Sequence, residues 1–228
     1  LEAARELRAG GQIYRYYGEG FRYFYSPLFA CMLAPFTYLP DYATKTMFLS
    51  ANVLLCYRLW QLTKNYLPLG QLRGAYRLWF GPAVFLMCFR LTENNFHMIQ
   101  MTIFLLWACT ESLQAARTQR PLRAGALLAL AINFKLLPLV MLPYFIWRNY
   151  GAAAAYTLAF TGVYLALPSV FIGHTYNVEL LEGWWAFINP EQKGHVVDVS
   201  ERGLHSVSTW LSTLLTDAHG NEATLKIP

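Results

Sequence analysis

The stretch from residue 150 to residue 172 contains no charged side chain. A helix needs about 20 predominantly apolar residues to cross the hydrocarbon core of a bilayer, so this stretch predicts a membrane crossing. Charged residues make up only 14% of the 228 residues, whereas soluble domains average roughly 25%. We therefore predict an all-α polytopic membrane protein, integral to the plasma membrane, which in a bacterium is the inner membrane.

Other apolar segments predict further crossings. Residues 42–62 predict one crossing, and residues 94–110 predict another that returns across the membrane. Between them, residues 78–89 form a shorter apolar segment that Gly81 and Pro82 are expected to interrupt. A crossing this short would need support from neighbouring helices.

The charges of the loops predict their sides of the membrane. The loop that carries Arg73 has no acid, and Arg120 lies in a second basic loop, so both are expected in the cytoplasm. Residues 173–203 form a polar loop with more acids than bases, which suits the outside. A short helix at 204–216 is expected to cap that outer face, and residues 217–228 are expected to form a polar tail or the start of the next loop. Residues 1–216 would then form a single transmembrane domain.

The first forty residues are expected to lie at the outer surface. Residues 1–10 predict an amphipathic helix ended by a glycine pair. The proline-interrupted residues 25–40 predict an interfacial or re-entrant helix, because the proline-free runs are too short to span. Four arginines before Tyr23, and Lys45 after it, then fall outside, against the positive-inside rule.

Residues 124–147 are long enough for one crossing, but Lys135 lies in their middle and Pro138 follows. A single crossing would place Arg148 outside. A hairpin of two half-length helices would keep Arg123 and Arg148 in the cytoplasm and put Lys135 at a turn deep in the membrane. The positive-inside rule favours the hairpin.

Lys135 is the first candidate for a functional residue. A charged group at mid-membrane costs about 3 kcal/mol or more, so it persists where it faces a partner or a ligand. A lysine ammonium is a compact charge suited to phosphate. The alternatives are a structural ion pair and an ammonium that extends to the interface.

A polar cluster near the start of the segment 94–110 supplies further candidates. His97 and Gln100 are three residues apart, which places them on one helix face where they could bind sugar hydroxyls or phosphate. The alternative is helix capping by Asn94 or Asn95. In the outer loop, the paired residues Trp184 and Trp185 either stack on a sugar or anchor the chain at the interface.

Several classes of site and partner are not indicated. His195 and Asp198 have no further metal ligand at close spacing, and the four cysteines form no C-x-x-C pair. We therefore expect no metal site. The basic residues are scattered rather than clustered, which argues against nucleic acid. No nucleotide or redox motif is present, so no cofactor is expected.

Four motifs occur in a distinctive order along most of the chain. They are YSPLFACMLAPFTYLP, NFHMIQMTIFLLWA, RAGALLALAINFKLLPLVMLPYFIWR and LHSVSTWLSTLL. Each resembles a motif of glycosyltransferase family 87, with Gln100 at a glutamine position, Lys135 in a K-x-x-P pattern, and His205 and Ser206 at a Q-S pair. Ile99 departs from the pattern, because the family has glycine there.

This resemblance implies a GT-C-like transmembrane helical bundle with re-entrant short helices and an outer-face loop. It also implies an inverting transferase that moves a hexose, often mannose, from a polyprenyl-phosphate sugar to a lipid or glycan acceptor. The implied donor-binding residues are Lys135, Gln100, His205 and Tyr25. The candidates for acceptor contact are His97, Trp184 and Trp185.

The catalytic base is expected outside the present sequence. In the family it is an aspartate just before the helix that residues 1–10 resemble, hence upstream of Leu1. The chain begins without methionine, in an apparent mid-helix, which predicts a fragment with membrane segments missing at both ends. Neither Glu19 nor Asp41 is assigned the role.

Two rival functions remain on sequence grounds. A secondary transporter or flippase would also have broken helices and a mid-membrane charge, although no internal repeat is present. In a purely structural membrane subunit, Lys135 would pair with an acid on a partner protein.

Overall fold

The computed structural model describes residues 1–17, 21–64, 75–98 and 100–189, which are mainly helical. The helices are α1 (Glu2–Arg8), α2 (Pro27–Leu33), α3 (Asp41–Lys64), α4 (Ala75–Met98), α5 (Thr102–Arg117), α6 (Pro121–Phe134), α7 (Met141–Trp147), α8 (Gly151–Ala166), α9 (Ser169–Ile172) and α10 (His174–Ile188). The 3₁₀ helices Ala34–Tyr38 and Leu137–Val140 follow α2 and precede α7, and strands β1 (Tyr16–Tyr17) and β2 (Phe21–Arg22) pair antiparallel. The described residues up to Trp184 form one compact unit, and those from Trp185 on belong to a second.

The predicted crossing at residues 150–172 is confirmed as a candidate membrane span. Helices α8 and α9 form a stretch of 22 residues, Gly151–Ile172, and only 11% of its most apolar part is buried inside the protein. Within the described residues, this is the one stretch that is long and apolar enough to cross a bilayer. The segments predicted at 42–62 and 94–110 are also largely helical, but the multi-pass bundle stays a prediction.

Helices α6 and α8 pack closely and run in the same direction. A Cβ atom at Gly125 would lie 2.4 Å from Cβ of Tyr156, so glycine allows the two helices to touch. Nearer the C-terminal ends, the side-chain amide of Asn133 donates to the carbonyl of Thr161 at 3.5 Å. Because both contacts advance toward the C-termini, the helices are parallel.

The interpretation of residues 124–147 as two half-length helices is confirmed. Helix α6 ends before Lys135, which is extended with φ −151° and ψ 135°, and helical structure resumes at Leu137. Since α6 and α8 are parallel, α7 must bring the chain back toward the start of α6. Phe145 of α7 accordingly belongs to the same buried cluster as Leu128 of α6.

Two matching turns join α5 to α6 and α7 to α8. Each contains a left-handed residue, Gln119 with φ 56° and Asn149 with φ 59°. The next N–H returns to the carbonyl five residues earlier, at 2.9 Å from Arg120 and at 2.8 Å from Tyr150. Such bonds satisfy the last carbonyls of a helix. Both turns lie at the same end, where the parallel helices α6 and α8 begin.

Helix α4 corrects the prediction for residues 78–89. Gly81 and Pro82 were expected to interrupt this segment, yet α4 continues through Pro82 from Ala75 to Met98. Proline removes one backbone hydrogen bond from a helix interior. That single loss leaves the hydrogen bonds on either side in place, so the helix continues.

The predicted start of a helix at residue 94 is also wrong. Residues 94–98 are the last turn of α4. The backbone N–H of Gln100 donates to the carbonyl of Asn95 at 3.0 Å, which closes the end of α4. Helix α5 then begins at Thr102.

The predicted polar loop 173–203 begins with a helix. Residues His174–Ile188 form α10, and Asn177, Leu180 and Trp184 are buried at helical spacing. The polar residues between them occupy the exposed face of α10. When only composition is considered, the same polar residues indicate a loop. Residues 190–228, including the predicted capping helix, lie outside the described residues.

Glu111 joins three helices by ion pairs that the sequence analysis did not single out. It lies on α5 and is 3% exposed. Arg123 of α6 contacts its carboxylate at 2.7 Å, and Arg58 of α3 contacts it at 3.1 Å. A buried charge requires a partner of opposite charge. The sequence therefore contained a signal for this ion pair: the acid Glu111 lies within one apolar run, and the base Arg58 lies within another.

Replacement of Glu111 by glutamine is expected to lower the free energy of unfolding by about 2 kcal/mol, because it removes the charge that holds both arginines. Asp41→Asn is the matched control, since the Asp41–Arg5 ion pair is more than half exposed at Asp41. Such exposed pairs contribute about 1 kcal/mol at most. Chemical unfolding of the purified variants measures both changes. Equal losses would show that the buried ion pairs add no special stability.

Candidate functional site

Lys135 lies at the break between α6 and the following 3₁₀ helix, and its side chain is exposed. Its backbone N–H donates to the carbonyl of Ala131 at 3.0 Å and so completes the last turn of α6. Its ammonium forms no ion pair with any residue that the structure describes. The ammonium is therefore available to an anionic ligand.

An aromatic stack connects the end of α6 to the loop before α2. Phe134 lies 5.0 Å from Phe104 and 4.7 Å from Phe29 between ring centroids. Phe29 in turn lies 4.8 Å from Tyr25. Aromatic pairs of this kind contribute about 0.5–1.5 kcal/mol each beyond area burial. The stack thus holds Tyr25 at the same end of the helices as Lys135.

Tyr25 also contacts Met101 in the short connection before α5, where Gln100 lies. Burial raises the pKa of the Tyr25 hydroxyl, and a hydrogen bond with the backbone of Met101 lowers it in part. With its pKa raised, the hydroxyl stays protonated at neutral pH and can donate. Gln100 directly precedes Met101 and is exposed. The Thr102 hydroxyl donates to its side-chain oxygen at 3.4 Å.

Three predicted donor-binding residues therefore share one end of the helices: Lys135, Gln100 and Tyr25. They provide a cation, an amide and a hydroxyl, and the cation forms no ion pair with any described residue. Such a set can bind a phosphate group and the hydroxyls of a sugar.

The two adjacent tryptophans differ in exposure. Trp184 is 7% exposed, and its indole N–H donates to the carbonyl of Phe24 at 3.3 Å. It therefore fixes α10 to the loop before α2 and presents no open ring face. Trp185 is 63% exposed, so of the two it is the one that can stack on a ligand.

Within the described residues, no predicted histidine is placed beside Lys135, Gln100 and Tyr25. His97 belongs to the last turn of α4, and its side chain is not among those described. His205, His195 and Asp198 lie outside the described residues. Asn95 is 4% exposed, and its side-chain amide forms no hydrogen bond with any described residue, so it caps no helix in that part of the chain.

The described residues contain no group of His, Cys, Asp or Glu side chains able to hold a metal ion. Lys135, Gln100 and Tyr25 themselves can bind a ligand by charge and by hydrogen bonds from their side chains.

Comparison with known proteins identifies the family. The model of glycosyltransferase family 87 matches residues 23–224, which is most of the 228-residue chain. No curated protein and no solved structure matches it. The matched range includes the loop before α2, the start of α5 and the break at Lys135, where the candidate residues lie. The resemblance found in the sequence motifs is thus confirmed, and the chain belongs to glycosyltransferase family 87.

Proposed function

We propose that this glycosyltransferase moves a mannose-like hexose from a polyprenyl-phosphate sugar to a lipid or glycan acceptor at the outer face of the membrane. The observation that carries the proposal is the exposed ammonium of Lys135, unpaired within the described residues, at the break after α6. When the bond between sugar and phosphate breaks, negative charge develops on the departing phosphate. A fixed cation at that position stabilises the transition state.

The other residues take supporting roles in this proposal. Gln100 and Tyr25 donate hydrogen bonds to the phosphate or the sugar, His205 assists them, and Trp185 stacks on the acceptor. The acceptor oxygen attacks the anomeric carbon, its proton passes to a carboxylate, and polyprenyl phosphate leaves. We assign that carboxylate to an aspartate upstream of Leu1.

Membranes that contain the full-length protein, supplied with radiolabelled polyprenyl-phosphate mannose, test the proposal. We expect the label to move into a product that is distinct from the donor. Control membranes carry the Lys135→Met variant. If the labelled donor crosses the bilayer unchanged and no product forms, the protein is a flippase and the proposed reaction is wrong.

The proposed topology gives a separate expected result. Single cysteines at Arg73, Arg120 and Arg148 should resist a membrane-impermeant thiol reagent in intact cells, and cysteines at Trp185 and Asp198 should react. Because basic residues concentrate in cytoplasmic loops, we expect positions 73, 120 and 148 to face the cytoplasm. Labelling of position 148 from outside would exclude the cytoplasmic return of α7.

A further inference from the structure

Arg58 and Arg123 converge on one buried carboxylate from two different helices. Arg58 of α3 donates from Nε to Oε2 of Glu111 at 3.2 Å and from Nη2 to Oε1 at 3.1 Å. Arg123 of α6 donates from Nη2 to the same Oε1 at 2.7 Å. Because one carboxylate serves two guanidinium groups, the three side chains together carry an excess of one positive charge.

This excess charge lies at the protein surface. The side chains of Arg58 and Arg123 are 46% and 50% exposed, whereas that of Glu111 is 4% exposed. A guanidinium has five N–H donors, and Arg123 uses one of them on the residues that the structure describes. Within the same residues, neither arginine pairs with a second carboxylate. The pair therefore presents unused donors that Glu111 holds in position.

The arginine pair lies near the level where the candidate membrane span begins. Helices α6 and α8 are parallel, and a Cβ atom at Gly125 would lie 2.7 Å from the backbone nitrogen of Thr157. From the rise of an α-helix, Thr157 lies ~9 Å along the span from Gly151, and Arg123 lies ~3 Å nearer to the start than Gly125. The backbone of Arg123 is therefore roughly 6 Å inside the span. An arginine side chain extends its charged group toward the interface, where the headgroups of the phospholipids lie.

Exposed apolar surface adjoins the pair on the side of the membrane interior. Leu54 of α3 lies one helical turn before Arg58 and is 68% exposed. Phe48, earlier on the same helix, packs against the cluster that contains Phe134, at the opposite end of α6 from Arg123. Leu54 therefore lies deeper along the span than Arg58. A charge at the surface with hydrocarbon below it is complementary to a phospholipid.

We propose that Arg58 and Arg123 bind the phosphate of an anionic phospholipid at the membrane surface where the span begins, with an acyl chain along Leu54. The planar fork of a guanidinium matches two oxygens of a phosphate group. The net charge of the cluster favours a headgroup that carries no positive charge of its own. The inference rests on the crossing of a bilayer by the α8–α9 stretch. It concerns neither sugar donor nor acceptor, because Lys135 lies at the opposite end of α6.

The bound lipid connects α3 to α6 at the surface, where Glu111 already connects them from within. A ligand that binds the folded protein alone stabilises it by mass action. The protein is therefore more stable in a bilayer that supplies anionic lipid, and the composition of the bilayer regulates the stability of this end of the helices.

Native mass spectrometry of the purified full-length protein measures the lipid preference. Detergent micelles supply equal amounts of phosphatidylglycerol, which is anionic, and phosphatidylcholine, which is zwitterionic, with the same acyl chains. We expect the first bound lipid to be phosphatidylglycerol about five times as often, which is the effect of one positive charge near the surface. Arg123→Gln should bring the two lipids to equal binding, because Arg58 then only neutralises Glu111.

Arg148→Gln is the matched control for this loss of charge. Arg148 is exposed at the same end of the helices, over the ring of Trp147, and it forms no ion pair with any described residue. This variant should keep the preference for phosphatidylglycerol. An equal loss in Arg148→Gln and Arg123→Gln would show that the lipid responds to the general positive charge of this end, and the proposed site would be wrong.

Glu111→Gln changes the charge in the opposite direction. It leaves both arginines in place and raises the net charge of the cluster by one, so the preference for phosphatidylglycerol should rise by about another fivefold. The melting temperature of this variant should also differ more between the two lipids than that of the unchanged protein. A preference that stays the same or falls would contradict the proposal, since the lipid would then not respond to the charge of the cluster.

Two further results would overturn the lipid site. Equal binding of both lipids by the unchanged protein would mean that the arginines serve Glu111 alone. Displacement of phosphatidylglycerol by inorganic phosphate, but not by sodium chloride at the same ionic strength, would assign the pair to a soluble phosphate compound. Sugar transfer is measured separately from lipid binding, so the failure of this site and the failure of the proposed function are distinguishable.

Discussion

Sugar transfer is expected to fall by roughly 100-fold or more when Lys135 is replaced by methionine, because one preorganised charge-stabilising group is lost. The protein should still fold and insert, since the ammonium forms no ion pair within the described residues. For the mid-membrane position predicted from the sequence, removal of the charge costs the empty protein nothing and can stabilise it. Initial rates of transfer from a polyprenyl-phosphate sugar, normalised to folded protein, measure the effect.

Two further variants make the result specific. Lys45→Met removes the same charge from an exposed position on α3 and should leave transfer near normal. Lys135→Arg should restore only part of the activity, because a planar fork does not replace a point charge. A well-folded Lys135→Met protein with near-normal transfer would exclude the phosphate role of this lysine.

The second large effect concerns stability. Gly125→Ala is expected to lower the free energy of unfolding by about 3 kcal/mol, because the added methyl group overpacks the α6–α8 contact. A Cβ atom at this position would lie 2.4 Å from Cβ of Tyr156 and 2.7 Å from the backbone nitrogen of Thr157. Neither atom is the mobile end of a side chain, so the helices themselves would have to separate.

Gly162→Ala is the matched control on α8. A Cβ atom there meets nothing within 4 Å, and alanine favours a helix over glycine by up to about 1 kcal/mol. This variant should therefore be unchanged or slightly more stable. Thermal and chemical unfolding of the purified proteins compares the two. A Gly125→Ala protein as stable as the Gly162→Ala protein would show that α6 and α8 do not touch as described.

The features predicted correctly from the sequence are those that depend on local composition. The charge-free residues 150–172 predicted the stretch that forms α8 and α9. Lys135 and Pro138 predicted the break after α6, because a charge and a proline both disfavour a continuous apolar helix. The glycine pair at residues 10 and 11 predicted the end of α1. Gly10 indeed has a left-handed backbone there, with φ 71°.

The features that were missed depend on contacts between distant residues. The partners of Glu111 lie on two other helices, and its burial is visible only after they pack. The end of α4 depends on a hydrogen bond between Gln100 and Asn95, which the hydropathy pattern does not show. Likewise, the polar face of α10 resembled a loop because the surface that buries Leu180 was unknown.

The residues of the candidate site come from the family resemblance, and their roles stay predictions. Motif resemblance selected Lys135, Gln100 and Tyr25, which the structure places at one end of the helices. The sequence could not distinguish Trp184 from Trp185, because their exposures differ only through the way α10 packs. It also gave no indication of the apolar cavity that Arg8, Leu130 and Phe171 help to line, since side chains from separate parts of the chain form it.

The two matching turns at Gln119 and Asn149 have a consequence for motion. They close one end of α5–α8 with paired backbone hydrogen bonds, and the ion pairs of Glu111 reinforce that end. At the opposite end, α6 and α7 are joined through a single extended residue and a short 3₁₀ helix. A hinge absorbs dihedral changes where few bonds must break, so opening toward the bilayer should occur at Lys135. The residue proposed to capture the donor phosphate would then also be the pivot for substrate entry.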